Sequence, residues 1–433
     1  MEDSVLIFLL FIIAYGSVKL YRHLYSKTIE RLWERTVVIS GCDTGFGRLL
    51  ACRLVNQGTR VIAGLYDEKN EKILRSKILD QKLLQVYPLD VTSDESVAQF
   101  AYIVDGLVEN DGIWGIVANA GILGNTGPDD WLNVNDYINT MQVNTFGVIR
   151  FIQSLKHQVK VQKGRVVIIS SVSGRTPRPT VGPYCVSKHA VEAYADVIRH
   201  ELIDFGVSVH MLEPGFFTTP ITQTATDDLD NVWRRLDEQK KLEYGKQYFV
   251  DYKLARLSRL SHCEDNLDPV LEAYEHALFG KYPKSRYWVG WDTVFFYIPL
   301  ATLPTFVQNW VISFQRRHRP IPAVIVVIIS SVSGRTPRPT VGPYCVSKHA
   351  VEVYADVIRH ELIDFGVSVH ILEPGVFTTP ITQTATNNLD NVWRQLDEEM
   401  KLENRLYVAI YTISYSNYIS SELSTFFVFI ILL

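Results

Sequence analysis

From residue 35 onward, short aliphatic and β-branched runs alternate with longer stretches whose apolar positions recur every three or four residues. RTVVIS, RVIAGLY, LLQVYPLDV, GIWGIVANAG, GRVVIIS and VSVHMLEP read as strands, apolar on both faces rather than alternating. Between them the spacing predicts helices over GFGRLLACRLVNQG, ending at Gly58, over about 94–109, across 135–160 and from about 183 to 204. Strands covered on both faces and separated by helices predict an α/β fold with a doubly wound parallel sheet, Rossmann-like in its winding.

One block of this pattern occurs twice. Residues 166–243 and 326–403 align without a gap at an offset of 160 and differ only at Ala193/Val353, Met211/Ile371, Phe216/Val376, Asp227/Asn387, Asp228/Asn388, Arg235/Gln395, Gln239/Glu399 and Lys240/Met400. Solenoids stack three or more units of one supersecondary type, so two copies split by unrelated sequence are a duplication. The second copy holds one strand (VIVVIIS), one helix and another strand (VSVHILEP), with no equivalent of residues 36–165. The organisation expected is an N-terminal segment over 1–27, one α/β domain over 35–322, a non-functional partial duplicate of 166–243 over 323–403, and an apolar tail over 404–433. The tail's last ten residues, STFFVFIILL, reach about half a membrane span; they read as a tail anchor or as translation past an exon.

The run VLIFLLFIIAYGSV (5–18) is preceded by Glu2 and Asp3 and followed by Lys19, Arg22, His23 and Lys27. It is short of a span of about 20 residues, though Leu20 and Tyr21 extend it if Lys19 snorkels. A cleavable signal would carry its positive charge ahead of the apolar run. An uncleaved membrane anchor is therefore favoured over a signal peptide or a surface helix, with the bulk of the chain on the cytosolic side. The whole chain, 433 residues with 47% hydrophobic and 21% charged, has a globular composition. Its net charge of −4 gives no basic surplus for nucleic acid. The five cysteines show no metal-ligand spacing, and neither a metal nor disulfides are expected.

Two stretches carry candidate chemistry. SGCDTGFG (40–47) lies between the first strand and the first helix, where Gly41, Gly45 and Gly47 permit a tight turn, close approach to a pyrophosphate and helix-on-strand packing. About 20 residues on, where the dinucleotide fingerprint holds a ribose hydroxyl, AGLYDEKN offers Asp67 and Glu68 and no arginine, which favours NAD and leaves NADP open. Further on, Tyr184 and Lys188 stand four residues apart on a helix and share a face. An ammonium there, together with a positive nicotinamide, would lower the tyrosine pKa from near 10 and ready the phenol to exchange a proton with an alcohol. His189, about 100° around the helix, has a structural role in this reading, and Trp131, Trp233 and Trp288 are packing or pocket-wall residues.

SGCDTGFG, LDV (89–91), ANAG (118–121), Asn144 in MQVNTFG, Ser171 in VVIISS, YCVSK and EPGFFTT (213–219), in this order, resemble the short-chain dehydrogenase/reductase family over about 35–220. Ser40 stands where the family usually has threonine and Ala118 where it has the first Asn of NNAG, each altering one turn contact. The resemblance implies four roles in catalysis. Ser171 would hold the substrate oxygen, Tyr184 would be the general acid/base, Lys188 would tune it and bind the nicotinamide ribose, and Asn144 would anchor a proton-conducting water. It assigns to the cofactor Gly41, Thr44, Gly45, Phe46, Gly47, Asp67, Asp90, Val91, Asn119, Ala120, Gly121, Tyr184, Lys188 and Thr219. Asp90 would contact adenine and Thr219 the carboxamide. GCDTGFG, GIWGIVANAG, DWLNVNDY and the 276–312 segment are similar to membrane-bound retinol and hydroxysteroid dehydrogenases. That likeness implies a lipophilic alcohol substrate, the endoplasmic reticulum membrane with a cytosolic catalytic domain, and, as is common in the family, a homodimer. RPTVGPYC resembles 3-hydroxybutyrate dehydrogenases, and a catalytically silent dinucleotide- or lipid-binding membrane protein is the further alternative. With one cofactor loop for two copies, the first copy is expected to form the enzyme, because burial of the aromatics in 244–322 should favour it.

Overall fold

A computed structural model describes residues 28–29, 35–223, 225–314, 324–336, 341–362 and 367–375. The proposed anchor at 1–27 and the tail at 404–433 lie outside the described residues, among which no helix is long and apolar enough to cross a membrane. The six expected strands form as β1 (Thr36–Ile39), β2 (Arg60–Leu65), β3 (Leu84–Pro88), β4 (Gly115–Ala118), β5 (Arg165–Ile169) and β6 (Ser208–Pro214). A seventh, β7 (Arg286–Val289), was not foreseen; it pairs Met211–Pro214 of β6 with its own four residues. All neighbours are parallel, in the order β3-β2-β1-β4-β5-β6-β7. The winding reverses between β1 and β4, which leaves a crevice at the carboxyl ends of these strands.

Two apolar layers sandwich the sheet. Helices Asp94–Val108, Val148–Val161 and Gly182–Leu202 pack on one face through Phe100, Val104, Phe151, Leu155, Val191 and Ile198. Helices Gly45–Asn56 and Asp268–Phe279 cover the other through Leu50, Leu54, Tyr274 and Leu278. The helix expected across 135–160 forms as Val134–Met141 and Val148–Val161, joined by a π-helical turn over Gln142–Gly147 that contains Asn144. An asparagine–aspartate capping box at Asn133 and Asp136 starts it. Such π turns insert one residue and re-aim the side chains around it.

The second copy forms β8 (Val324–Ile329), helix Gly342–Leu362 and β9 (Val367–Leu372). β8 and β9 make a separate two-stranded parallel sheet and do not join the main one. The aromatics of residues 244–322 divide between the core and the surface. Tyr274, Phe279 and Tyr287 are buried, whereas Trp291, Phe295, Phe306 and Trp310 are 57–76% exposed. Pairing of β7 with β6 also ties the segment to the first copy.

Candidate active site

The first turn shows why its glycines are required. A Cβ at Gly41, whose φ is +70°, would lie 2.7 Å from Ala120 Cα, and one at Gly47 would lie 2.3 Å from the Gly41 carbonyl and from Asn119 Nδ2. Gly45, at φ +55°, opens the Gly45–Asn56 helix with Cβ space to spare, its nearest neighbours being 3.9 Å away on Thr219 and Pro220. Thr44, Gly45 and Phe46 line the cleft; Gly47 does not, and its part is packing. Ser40, in place of the usual threonine, keeps the turn contact, accepting from Asn119 N at 3.1 Å and Ala120 N at 3.2 Å. Asn119 in turn donates to the carbonyls of Ser40 and Gly41 and accepts from the Tyr274 hydroxyl at 3.0 Å. Nothing in the sequence pattern pointed to Tyr274, which lies 155 residues away on another helix.

At the end of β2, the Asp43 carboxylate accepts from Tyr66 N and Asp67 N at 3.0 and 2.8 Å and braces this corner. Asp67 is exposed to the cleft and uses Oδ1 on Lys69 N at 3.0 Å. Asp90 lies on the cleft wall, its Oδ1 held by Thr92 N at 2.8 Å and the Thr92 hydroxyl at 2.7 Å. Val91, Asn119, Ala120, Gly121 and Thr219 complete the same wall. The structure thus brings every expected cofactor residue except Gly47 to one cleft of about 2590 Å³. Pockets for drug-sized ligands run to about 1,000 Å³, so this one has room for a dinucleotide and a substrate together.

Ser171, Tyr184 and Lys188 line the same cleft. Ser171 stands two residues past the end of β5 and caps the short turn after it, accepting from Ser173 N at 3.2 Å, while hydrogen-bonding the Tyr184 hydroxyl. Tyr184 and Lys188 project from one face of the Gly182–Leu202 helix, with Lys188 Nζ 5.6 Å from the Tyr184 ring centroid and donating to the Ile169 carbonyl at 3.0 Å. Burial pushes the Tyr184 phenol up to about 12, and the Ser171 hydrogen bond and the Arg178 guanidinium oppose that rise. A cation that the sequence pattern did not single out, Arg178, holds the phenol down in the protein alone; the effect expected of Lys188 belongs to the state with a positive nicotinamide beside it. Burial draws the Lys188 ammonium itself down to about 8, against the Glu192 carboxylate one turn further on. Arg178 sits on the cleft wall, stacked 4.5 Å over the Phe216 ring and donating to Ser173 Oγ at 2.8 Å. It lies in the loop six residues before Tyr184, where no helical spacing announces it.

Asn144 is fully buried behind the site. Its amide donates to the Ile122 carbonyl at 2.8 Å and to Ser187 Oγ at 3.0 Å, and its oxygen accepts from Ile122 N at 2.8 Å. A Cβ at Gly121 would stand 3.2 Å from Asn144 Oδ1 and 3.7 Å from Lys188 Nζ, so both side chains converge on that backbone. His189 turns away to bond Cys185 O at 2.9 Å, and burial depresses it to about 3, which suits the structural role expected. Trp131 and Trp233 pack in an aromatic cluster with Tyr244 and Phe249, while Trp288 is half exposed on β7.

The model of the short chain dehydrogenase family matches residues 35–230 and again 322–390. The chain belongs to the short-chain dehydrogenase family. Family members use a nicotinamide dinucleotide, and this chain is an NAD(P)-dependent oxidoreductase interconverting an alcohol and its carbonyl. Among its relatives, retinol dehydrogenase 7 of Rattus norvegicus is 40% identical over 288 residues, 66% of this chain and 90% of that one. The 17-beta-hydroxysteroid dehydrogenase type 6 of Homo sapiens is 38% identical over 322 residues, 73% of this chain and 99% of that one. A short-chain dehydrogenase from Streptomyces avermitilis shares the fold, with a TM-score of 0.52 at 22% identity over 64% of this chain and 96% of that structure.

Proposed function

We propose that this dehydrogenase acts on a lipophilic alcohol of the retinol or hydroxysteroid kind, prefers NAD, and works at the endoplasmic reticulum membrane with its catalytic domain in the cytosol. The carrying observation is that Ser171 and Tyr184 share one cleft with Phe216, Tyr248, Phe296 and Leu300, an apolar and aromatic wall. The relatives named for retinol and hydroxysteroids, at 40% and 38% identity, support the same substrate class. Asp67 facing the cleft, with no arginine in the Tyr66–Asn70 corner, supports NAD. The apolar run at 5–18 with its basic flank and the exposed Trp291, Phe295, Phe306 and Trp310 support the membrane.

The residues present fit a dinucleotide: the helix N-terminus at Gly45 opens on the cleft without a Cβ in the way, and Asp67 stands at the ribose end. When bound, the nicotinamide ring supplies the hydride acceptor or donor. The remaining chemistry falls to side chains. Ser171 donates to the substrate oxygen and fixes its position. Tyr184 takes the substrate hydroxyl proton in oxidation and returns it in reduction. Arg178 favours the phenolate electrostatically, and Lys188 and Asn144 hold the floor beneath it. The first copy carries this chemistry in the proposal. Ser331, Tyr344 and Lys348 are not among the cleft-lining residues, and Tyr344 points to solvent with 38% exposure.

Arg178 on the cleft wall favours a second reading, a hydroxy acid whose carboxylate pairs with the guanidinium. A panel of retinols, hydroxysteroids and 3-hydroxybutyrate, each tried with NAD and NADP on the membrane-bound protein, decides between them. Turnover of hydroxybutyrate alone would overturn the lipophilic assignment, and cofactor binding with no turnover on any member would select the silent binding protein.

A further inference from the structure

The second copy lacks a cofactor loop, yet its helix is well buried, and what it is buried against is its own twin. Helix Gly342–Leu362 packs along helix Gly182–Leu202, whose sequence it repeats except at Ala193/Val353. The contacts are reciprocal. Val357 Cγ1 lies 3.2 Å from where a Cβ on Gly182 would stand, and Val197 Cγ1 lies 3.1 Å from the same point on Gly342. Val357 is the counterpart of Val197 and Gly342 that of Gly182, so each contact is the twofold image of the other. A seam in which residue i meets j while j meets i is the signature of a twofold-symmetric pair of identical subunits. Here both halves belong to one chain.

The seam is apolar and closed. Val181, Cys185 and Val186 of the first copy interlock with Val353 and Val357 of the second, and Tyr354 stands edge-on to Tyr137 at 5.7 Å between centroids. From its far end the second copy reaches the cleft. The Glu361 carboxylate accepts from Thr180 N at 2.7 Å and from Asp129 N. Thr180 has a φ of +68°, a backbone conformation costly for a β-branched residue and in need of such support. Asp129, Thr180, Glu361 and Leu362 all line the cleft that holds Ser171 and Tyr184.

We propose that the second copy is a built-in substitute for a partner subunit. It occupies the face of helix Gly182–Leu202 that would otherwise receive the same helix of a second copy of this chain, and it supplies through Glu361 the cleft contact that Glu201 of such a chain would make. The duplication thereby keeps the protein monomeric at this face. The inference is independent of the substrate assigned above.

Sedimentation of the full chain tests it. The wild type should run as a monomer. Val353→Glu with Val357→Glu, which dislodges the second copy and leaves the first helix unchanged, should double the mass. Adding Val197→Glu, which spoils the first helix's own face, should return the monomer. A V353E/V357E chain that binds cofactor but stays monomeric overturns the proposal, as does a wild type that dimerises in a way Val197→Glu abolishes. Should the glutamate variants fail to fold, Gly182→Cys with Val357→Cys reads the same seam under oxidation. A bridge within one chain supports the internal pairing, and a bridge between chains overturns it.

Discussion

Tyr184 and Tyr344 sit in identical ten-residue contexts and in equivalent helices, and their local surroundings are copied almost to the atom. Ser171 and Ser331 each accept from the serine amide two residues on at 3.2 Å. Lys188 and Lys348 lie 5.6 and 5.7 Å from their tyrosine rings. His189 and His349 bond the preceding cysteine carbonyl at 2.9 and 3.0 Å. What differs is everything further along the chain. β5 has β4 on one side and β6 on the other, and Ile169 at its end is 6% exposed. β8 has only β9, and its equivalent Ile329 is 63% exposed. Local sequence thus rebuilds the catalytic motif twice, but a motif becomes a site only where the rest of the sheet supplies a cofactor cleft beside it.

The sharpest break in that symmetry should come from paired substitutions. Tyr184→Phe should lower alcohol oxidation by about 10²–10⁴-fold, the usual worth of a general acid/base, with cofactor affinity kept, whereas Tyr344→Phe should leave steady-state rates unchanged. Turnover by the Tyr184→Phe chain that disappears on adding Tyr344→Phe would show the second copy to be working. Next in size, Arg178→Ala removes a cation that holds down a phenol already raised to about 12 by burial. The folded pKa should rise further, so the ascending limb of the oxidation pH profile, along which the phenolate forms, should move to higher pH. At neutral pH, where less phenolate is then present, the rate should fall about tenfold for each unit moved. The equivalent Arg338→Ala in the second copy should move nothing in that profile.

Asp67→Ala should weaken NAD by about tenfold, the worth of one hydrogen bond to a charged group, with NADP affected less; a fluorescence titration with each cofactor reads this. The smallest effect tests where the copies touch. Glu361→Gln keeps one acceptor oxygen but loses its charge at the Thr180 and Asp129 amides, and should raise KM by a few-fold, about 1 kcal/mol, with kcat kept. Glu201→Gln on the first copy should change neither.

Much of the site was legible before any tertiary contact was known. Six strands, the turn of Gly41, Gly45 and Gly47, and the shared face of Tyr184 and Lys188 follow from periodicities that local backbone geometry enforces. β7 escaped because RYWV is four residues long and half exposed, with neither an apolar run nor clean alternation to mark it. Arg178, Tyr274 and Glu361 escaped because each acts across a loop or from 155 to 232 residues away. The part Arg178 plays at the Tyr184 phenol escaped for the same reason. A spacing of four residues puts an ammonium on the right face, but it says nothing of burial, which raises the phenol, or of Arg178, which opposes that rise.

The sequence by itself determined that a parallel α/β sheet with a dinucleotide turn would form and that a Ser–Tyr–Lys motif would be written twice, because helix and strand periods and glycine sterics act over a few residues. Which motif faces a cleft was decided only by the tertiary structure, since that depends on neighbouring strands that one copy possesses and the other lacks. The same holds for the helix seam. Two amphipathic helices, identical but for Ala193/Val353, are visible in the chain, but only the packed molecule has them closing on each other, Gly182 against Val357 and Gly342 against Val197.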